Sequence, residues 1–316
     1  MTTHRLDAAP DTVHWGFFDA ALKPLITVEP GDEVMISTVS GPAAAMPKAD
    51  SGLKVPPALA AIHASVPQKL NGPHIMTGPI AVRGAKAGQV LEIRIKAIDL
   101  NYDWGYNAIR PLAGALPDDF ETTRLIHIPL DRARMMARLP WGLELPLQPF
   151  FGVMAVAPPP AWGPVASPPP RRNGGNIDNK ELVAGTTLYL PVPVEGALLS
   201  AGDGHGAQGD GEVSGTAIEC PLERAQLTLE LQDGPELRMP VARTADAWLA
   251  FGFDEDLDVA AELATETMLD VLEREHGLER RDAYGLASVV VDLHVTQVVN
   301  GVKGVHAVLR HDAIRI

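Results

Sequence analysis

Between Leu257 and Leu272 apolar side chains return every third or fourth position, as Leu257, Ala260, Ala261, Ala264, Met268, Leu269, Val271 and Leu272. That spacing lays one apolar stripe along a helix and predicts helix from Asp256 to His276. Asp254, Glu255, Asp256 and Asp258 stand at its positive end, and Gly277 supplies the stop. A second short helix is expected from Arg280 to Ala287. Elsewhere the period is two. Alternation at Glu33 to Thr38, Val90 to Ile98, Ala225 to Leu231 and Ser288 to Asn300 predicts strands with one buried face. Asn300-Gly301 is a hairpin signal that returns the chain through Val305 to Leu309.

Unbroken apolar runs at Pro149 to Ala157 and Trp248 to Phe253 read as buried strands. Leu237 to Ala242 is expected to pair with Ala225 to Leu231 across Asp233-Gly-Pro235. Val13 to Phe18 reads as one short aromatic strand. Residues 41–73 lack a period and suggest a surface excursion with a short helix near Ala58 to His63. Residues 99–125 read as a long ordered loop, a kind of segment that is usually functional in a packed domain. The expected fold class is therefore α+β, predominantly antiparallel β, packed as a sandwich or barrel-like core with one or two C-terminal helices.

Composition narrows the partners. The chain has 316 residues, enough for a sizeable core, and an ordinary apolar fraction of 46%. Its formal net charge of −14 argues against nucleic acid or an anionic membrane as partner. No apolar run reaches the ~18 residues of a membrane span, and the first residues carry no apolar leader. A single cysteine, Cys220, excludes an internal disulfide and fits a reducing compartment, so a cytoplasmic location is expected. At a strand end, Cys220 reads as a small buried hydrophobe.

The stretch GALLSAGDGHGAQGDGEVSGTAIEC, residues 196–220, changes the picture most. It gathers Asp203, His205, Gln208, Asp210, Glu212 and Glu219 among glycines and alanines, too little bulk to pack a core. Three readings fit it: a solvated Gly-Asp hairpin, a structural Ca²⁺ loop, or a catalytic metal site. EF-hand spacing is missing, and histidine is an unusual ligand for calcium. Histidine with carboxylates suits a zinc-type ion. No G-x-S-x-G elbow and no phosphate loop before a helix is present.

Upstream lies Asn173-Gly-Gly-Asn-Ile-Asp-Asn-Lys180. With it, the chain resembles the acetamidase/formamidase family of metal-dependent amide hydrolases. The resemblance rests on GGNIDNKEL (174–182), LYLPVPVEGALLSAGDGHGAQGDGE (188–212) and GTAIE (215–219). HIMTGPIAVRGAKAGQVLEI (74–93), PFFGVMAVAP (149–158), TVHW (12–15) and the tail 275–301 follow the same order, so it spans nearly the whole chain. It implies hydrolysis of a small linear carboxamide, formamide or acetamide in type, to carboxylate and ammonia. A homodimer or larger homo-oligomer is expected from exposed apolar β edges. Prolines at 158–160 and 168–170 exclude helix and inner strand. They form either a rigid loop in one domain spanning 1–316 or a junction of two β-rich lobes near 158–175, and motifs on both sides favour the loop.

The expected roles follow. Asp203 and His205, two apart on an extended segment, bind a divalent metal, zinc or else calcium, with Asp178 and His74 completing the set. Glu212 and Glu219 serve as general base and acid around a metal-activated water. Asn176, Gln208, Asp210 and His14 contact or orient substrate, although His14 beside Trp15 also reads as a satisfied strand histidine. His294 reads as structural or solvated. Two rivals remain: an amidohydrolase of lactams or larger amides, and a non-catalytic Ca²⁺-binding β module.

Overall fold

In a computed structural model that describes residues 1–315, the alternating segments Val90–Leu100 and Leu222–Gln232 pair antiparallel inside a nine-stranded sheet. The sheet runs Thr3–Leu6, Glu33–Ile36, Leu222–Gln232, Val90–Leu100, Thr187–Pro191, Val241–Arg243, Ala247–Asp254, Val302–Arg310, Val291–Asn300. Only its first pair is parallel. Among the described residues it is open, with Thr3–Leu6 and Val291–Asn300 as its outer strands, so the core is a sandwich and no barrel closes.

A six-stranded sheet orders Gly174–Asn176, Phe150–Ala155, Leu199–His205, Ile75–Val82 and Val13–Trp15, with Ile26–Val28 added parallel to Ile75–Val82. A four-stranded sheet orders Glu144–Pro146, Met136–Arg138, Arg124–Asp131 and Trp104–Ile109. All three contribute to one apolar cluster, with Ile93, Leu188 and Leu227 from the first, Phe151 and Leu199 from the second, and Ile128 from the third. Burying one such side chain contributes about 1.5–3 kcal/mol.

Period-two patterning then splits the far end of the large sheet between two layers. Leu249 and Phe251 of Ala247–Asp254 enter the main cluster, whereas Ala250 faces the helices Leu257–His276 and Arg280–Val290. Ala260, Ala264, Met268 and Leu272 form the helical stripe against it. Asp256 caps the long helix by accepting a hydrogen bond from Asp258 N, and Gly277 ends it in the left-handed region. No helix among the described residues is long and apolar enough to cross a membrane. A third helix, Pro57–Ser65, lies in the unpatterned 41–73 segment.

Three expectations change. Residues 99–125 are not all loop, because Trp104–Ile109 is a strand paired with Arg124–Asp131. Trp104, Tyr106 and Ala108 are buried in alternation there, and aromatic side chains favour a pleated surface. Leu222–Gln232 does not pair with the segment after Gly234. It pairs with Val90–Leu100 and Glu33–Ile36, while Val241–Arg243 joins Thr187–Pro191 and Ala247–Asp254. A long ladder between two extended strands outweighs a local turn signal. Finally, the aromatic strand near the N-terminus breaks at Gly16 (φ 91°) into Val13–Trp15 and Phe17–Phe18.

Candidate active site

Strand Leu199–His205 is buried along its whole length at the centre of the six-stranded sheet. Its glycines are there for contact: a Cβ on Gly202 would stand 2.2 Å from Ile75 O. Alternation turns Asp203 and His205 to the same face. Across from them on Phe150–Ala155 sits Gly152. A Cβ there would meet Asp178 Oδ1 at 2.7 Å, Asp203 Oδ2 at 2.8 Å and His205 Cε1 at 2.8 Å. The absent side chain is what lets three polar groups converge.

Asp178 arrives on the turn after strand Gly174–Asn176, and Glu212 and Glu219 on the chain leaving Leu199–His205. Asp178, Asp203 and Glu212 all hold positive φ, at 52°, 58° and 46°. For side chains of this size that backbone costs on the order of 1–3 kcal/mol each. Such strain is kept where surrounding contacts fix a side chain in place. Gly211 N donates to Thr296 O (3.0 Å) and Val298 N to Gly211 O (3.2 Å), tying the Glu212 turn to the edge strand Val291–Asn300.

His205 is the hub. Its Nδ1 donates to Gln208 Oε1 (3.0 Å), and Gln208 Nε2 donates to Asp178 O (2.6 Å). That leaves Nε2 as the lone-pair nitrogen of the neutral ring, 3.2 Å from Asp203 Oδ2 and 3.3 Å from Glu219 Oε2. Nε2 lacks the alignment of a hydrogen bond to either. Asp178 Oδ1 and Glu212 Oε2 are likewise buried without a hydrogen-bond partner. Two sets, Asp178 with Asp203 and His205, and His205 with Glu212 and Glu219, bring their ligand atoms within 4.8 Å of one another. Orphaned acceptors sharing one buried spot match the donor set of a divalent cation.

The electrostatics agree. Burial pushes the Asp178 carboxyl up to about 7 against the pull of His205. Burial likewise raises Glu219, and it raises Glu212 well above its ordinary value with Asp178 adding to the effect. At Asp203 burial acts upward, but His74 and His205 outweigh it and hold the carboxyl below the usual range. Burial disfavours charge on His205 too, yet Glu219 and Asp203 raise it well above its ordinary value.

Placement of the other sequence-derived candidates is mixed. His74 faces Asp203 Oδ2 from 3.7 Å and is held through Nδ1 by Ser167 Oγ at 2.9 Å, on the Pro-rich loop. Asn176 and His74 line a cavity of about 190 Å³ whose floor includes Asp203, Glu212 and Glu219. His14 does not line it: its Nδ1 is 2.6 Å from Phe17 O and its Nε2 2.9 Å from Ser200 Oγ, making it a satisfied strand histidine. Asp210 turns away to Lys180 Nζ (2.8 Å) and His294 Nδ1 (3.3 Å). Asn300 and Arg110 enter the cavity unforeseen, since the first read as a hairpin turn and the second as part of a loop. Cys220 is buried and its thiol pushed upward, so it is no nucleophile. A larger hollow of about 530 Å³ beside Met35, Ile98 and Arg224 contains none of these groups.

Fold and site together define a β-sandwich protein with a buried acid–imidazole centre open to a small cavity. A model of the Acetamidase/Formamidase family matches residues 5–162 and 165–242, and the chain belongs to that family. It is similar to the crystal structure of an acetamidase from Bacillus halodurans, with 30% identity, a TM-score of 0.83 and 97% of each chain covered. An acetamidase of Mycolicibacterium smegmatis is 56% identical over 46 residues, 15% of this chain and 11% of that protein. A formamidase of Methylophilus methylotrophus is 28% identical over 194 residues, 45% and 47% respectively. The chain thus spans less than half the length of these two curated relatives.

Proposed function

We propose that this protein hydrolyses small linear carboxamides, of the formamide and acetamide type, to a carboxylate and ammonia. The observation that carries this reading is the convergence of Asp178, Asp203, His205, Glu212 and Glu219, with His205 Nε2, Asp178 Oδ1 and Glu212 Oε2 unsatisfied and with Asp203, Glu212 and Glu219 lining the cavity. Names of relatives in the family support the substrate class. Asp178, Asp203, His205 and Glu219 would hold a divalent ion, zinc by the mix of imidazole and carboxylate. When bound, such an ion supplies Lewis acidity to an amide carbonyl and to water.

The chain's own groups do the rest. Glu219 Oε1 accepts from Ala217 N (3.0 Å), which fixes its Oε2 toward His205. Gln208 fixes the His205 tautomer. Glu212, raised by burial and bordering the cavity, is poised to take a proton from the attacking water at Oε2 and return it to the departing nitrogen. His74, lowered chiefly by burial against the pull of Asp203, adds a polar edge to the cavity.

The test pairs metal analysis of the purified protein with ammonia release from formamide and acetamide, before and after chelation. Zinc near one per chain, with activity lost on chelation and restored on re-addition, is the expected result. Glu212→Gln should keep the metal and lose about 10²- to 10⁴-fold in kcat. Bound calcium with no ammonia from either amide would instead leave a binding module.

A further inference from the structure

Arg110 follows directly after strand Trp104–Ile109 and is the one Lys or Arg among the described residues that lines the 190 Å³ cavity. Its guanidinium has an unusual lack of company. Nη2 donates to Gly215 O at 3.1 Å, a neutral carbonyl, and it forms no ion pair with a described residue. Most other arginines of the chain, such as Arg132, Arg134, Arg224 and Arg280, meet a carboxylate. Its position is set by backbone: Leu112 N donates to Pro117 O (3.1 Å) and Ala115 N to Val213 O (2.8 Å), pinning the segment that follows. Arg110 is exposed at the mouth, while the floor holds Asp203, Glu212 and Glu219. Pro42, Ala113 and Val299 add apolar lining.

Resting on the amide-hydrolase reading, we propose that Arg110 selects short amides whose far end carries a carboxylate, with the amide at the acid floor and the carboxylate on the guanidinium. The fork of a guanidinium matches two carboxylate oxygens, and such charge-assisted pairs are about twice as strong as neutral ones. A cavity of about 190 Å³ lies below the roughly 300–1,000 Å³ usual for drug-sized ligands, which suits a short chain. Formamide and acetamide would leave the mouth and its cation unused. An aliphatic amide of equal length would fill the space but strand Arg110 beside a methyl group. Carboxylated amides such as malonamate and succinamate satisfy both ends.

The experiment compares kcat/KM for malonamate against propionamide and for succinamate against butyramide, in the full chain and in Arg110→Gln and Arg110→Lys. The carboxylated member of at least one pair should be favoured tenfold or more. The ratio should fall toward one in Arg110→Gln and recover in part in Arg110→Lys. Equal use of both members by the unaltered protein, or an equal loss for both in Arg110→Gln, overturns the assignment and leaves the amidase reading intact. Calorimetry with succinate as probe separates the two ideas. Succinate binding weakened at least tenfold by Arg110→Gln, with no amide turned over, would keep the Arg110 site and remove the amidase reading. Equal succinate binding by the unaltered protein and Arg110→Gln would remove the Arg110 site.

Discussion

Asn300 Nδ2 donates a 2.6 Å hydrogen bond to Asp178 Oδ2 across 122 residues of sequence. The hairpin residue of the last strand pair thus grips a carboxylate whose other oxygen, Oδ1, has no hydrogen-bond partner. One oxygen is fixed and the other is presented. Partners of this kind orient a ligand and are worth about 10- to 100-fold in affinity or activity. Asn300→Ala should therefore lower kcat/KM for acetamide by about that factor with little change in melting temperature. Unchanged turnover would show that the bond is idle.

Gly152→Ala adds a single methyl group at the point where Asp178, Asp203 and His205 converge. Contacts of 2.7–2.8 Å are too short for a carbon, so the three groups must part. No ligating atom is removed, which makes this substitution a geometric probe. Metal content should fall at least tenfold while the sheet persists by circular dichroism. Full metal occupancy and activity in Gly152→Ala would place the ion elsewhere.

His14 makes a pH prediction because it is buried and neutral. Burial lowers it from 6.5 to about 4, against the opposing hydrogen bond to Phe17 O. A folded-state value below the unfolded one means the unfolded chain takes up the proton first. The stabilisation is complete above pH 6.5 and is lost as the pH falls from 6.5 to 4, up to about 3 kcal/mol. His14→Gln should flatten the stability curve in that window in denaturant titrations. Parallel curves for the two proteins would remove His14 from the acid response.

Much of the fold was legible because strand and helix periods are local properties. The helix Leu257–His276, with its cap at Asp256 and stop at Gly277, follows from spacing and end chemistry alone. So does the hairpin at Gly301. Pairing partners are not local. Asp233-Gly-Pro235 looked like a hairpin, yet Leu222–Gln232 gains more by running beside Val90–Leu100. The Trp104–Ile109 strand was hidden by its glycine and asparagine, and became a strand only because Arg124–Asp131 offered an edge.

The site divides in the same way. Residue types and their crowding between 196 and 220 were enough to single out Asp203, His205, Gln208, Glu212 and Glu219, since a loop with so many ligands and so little bulk makes poor packing material. That Asp203 and His205 stand on the buried strand Leu199–His205 was decided by the fold. The GGNIDN segment added Asp178. Sequence alone could not separate Asp210, two residues from Glu212, which turns instead to Lys180 and His294. Nor could it reveal that Asn300 and Arg110 border the cavity, or that Gly152 leaves the space where the acids meet. Alternation and composition are written residue by residue. Convergence is decided by which strands lie side by side and by backbone forced to positive φ at Asp178, Asp203 and Glu212, and both depend on packing between segments far apart in the chain.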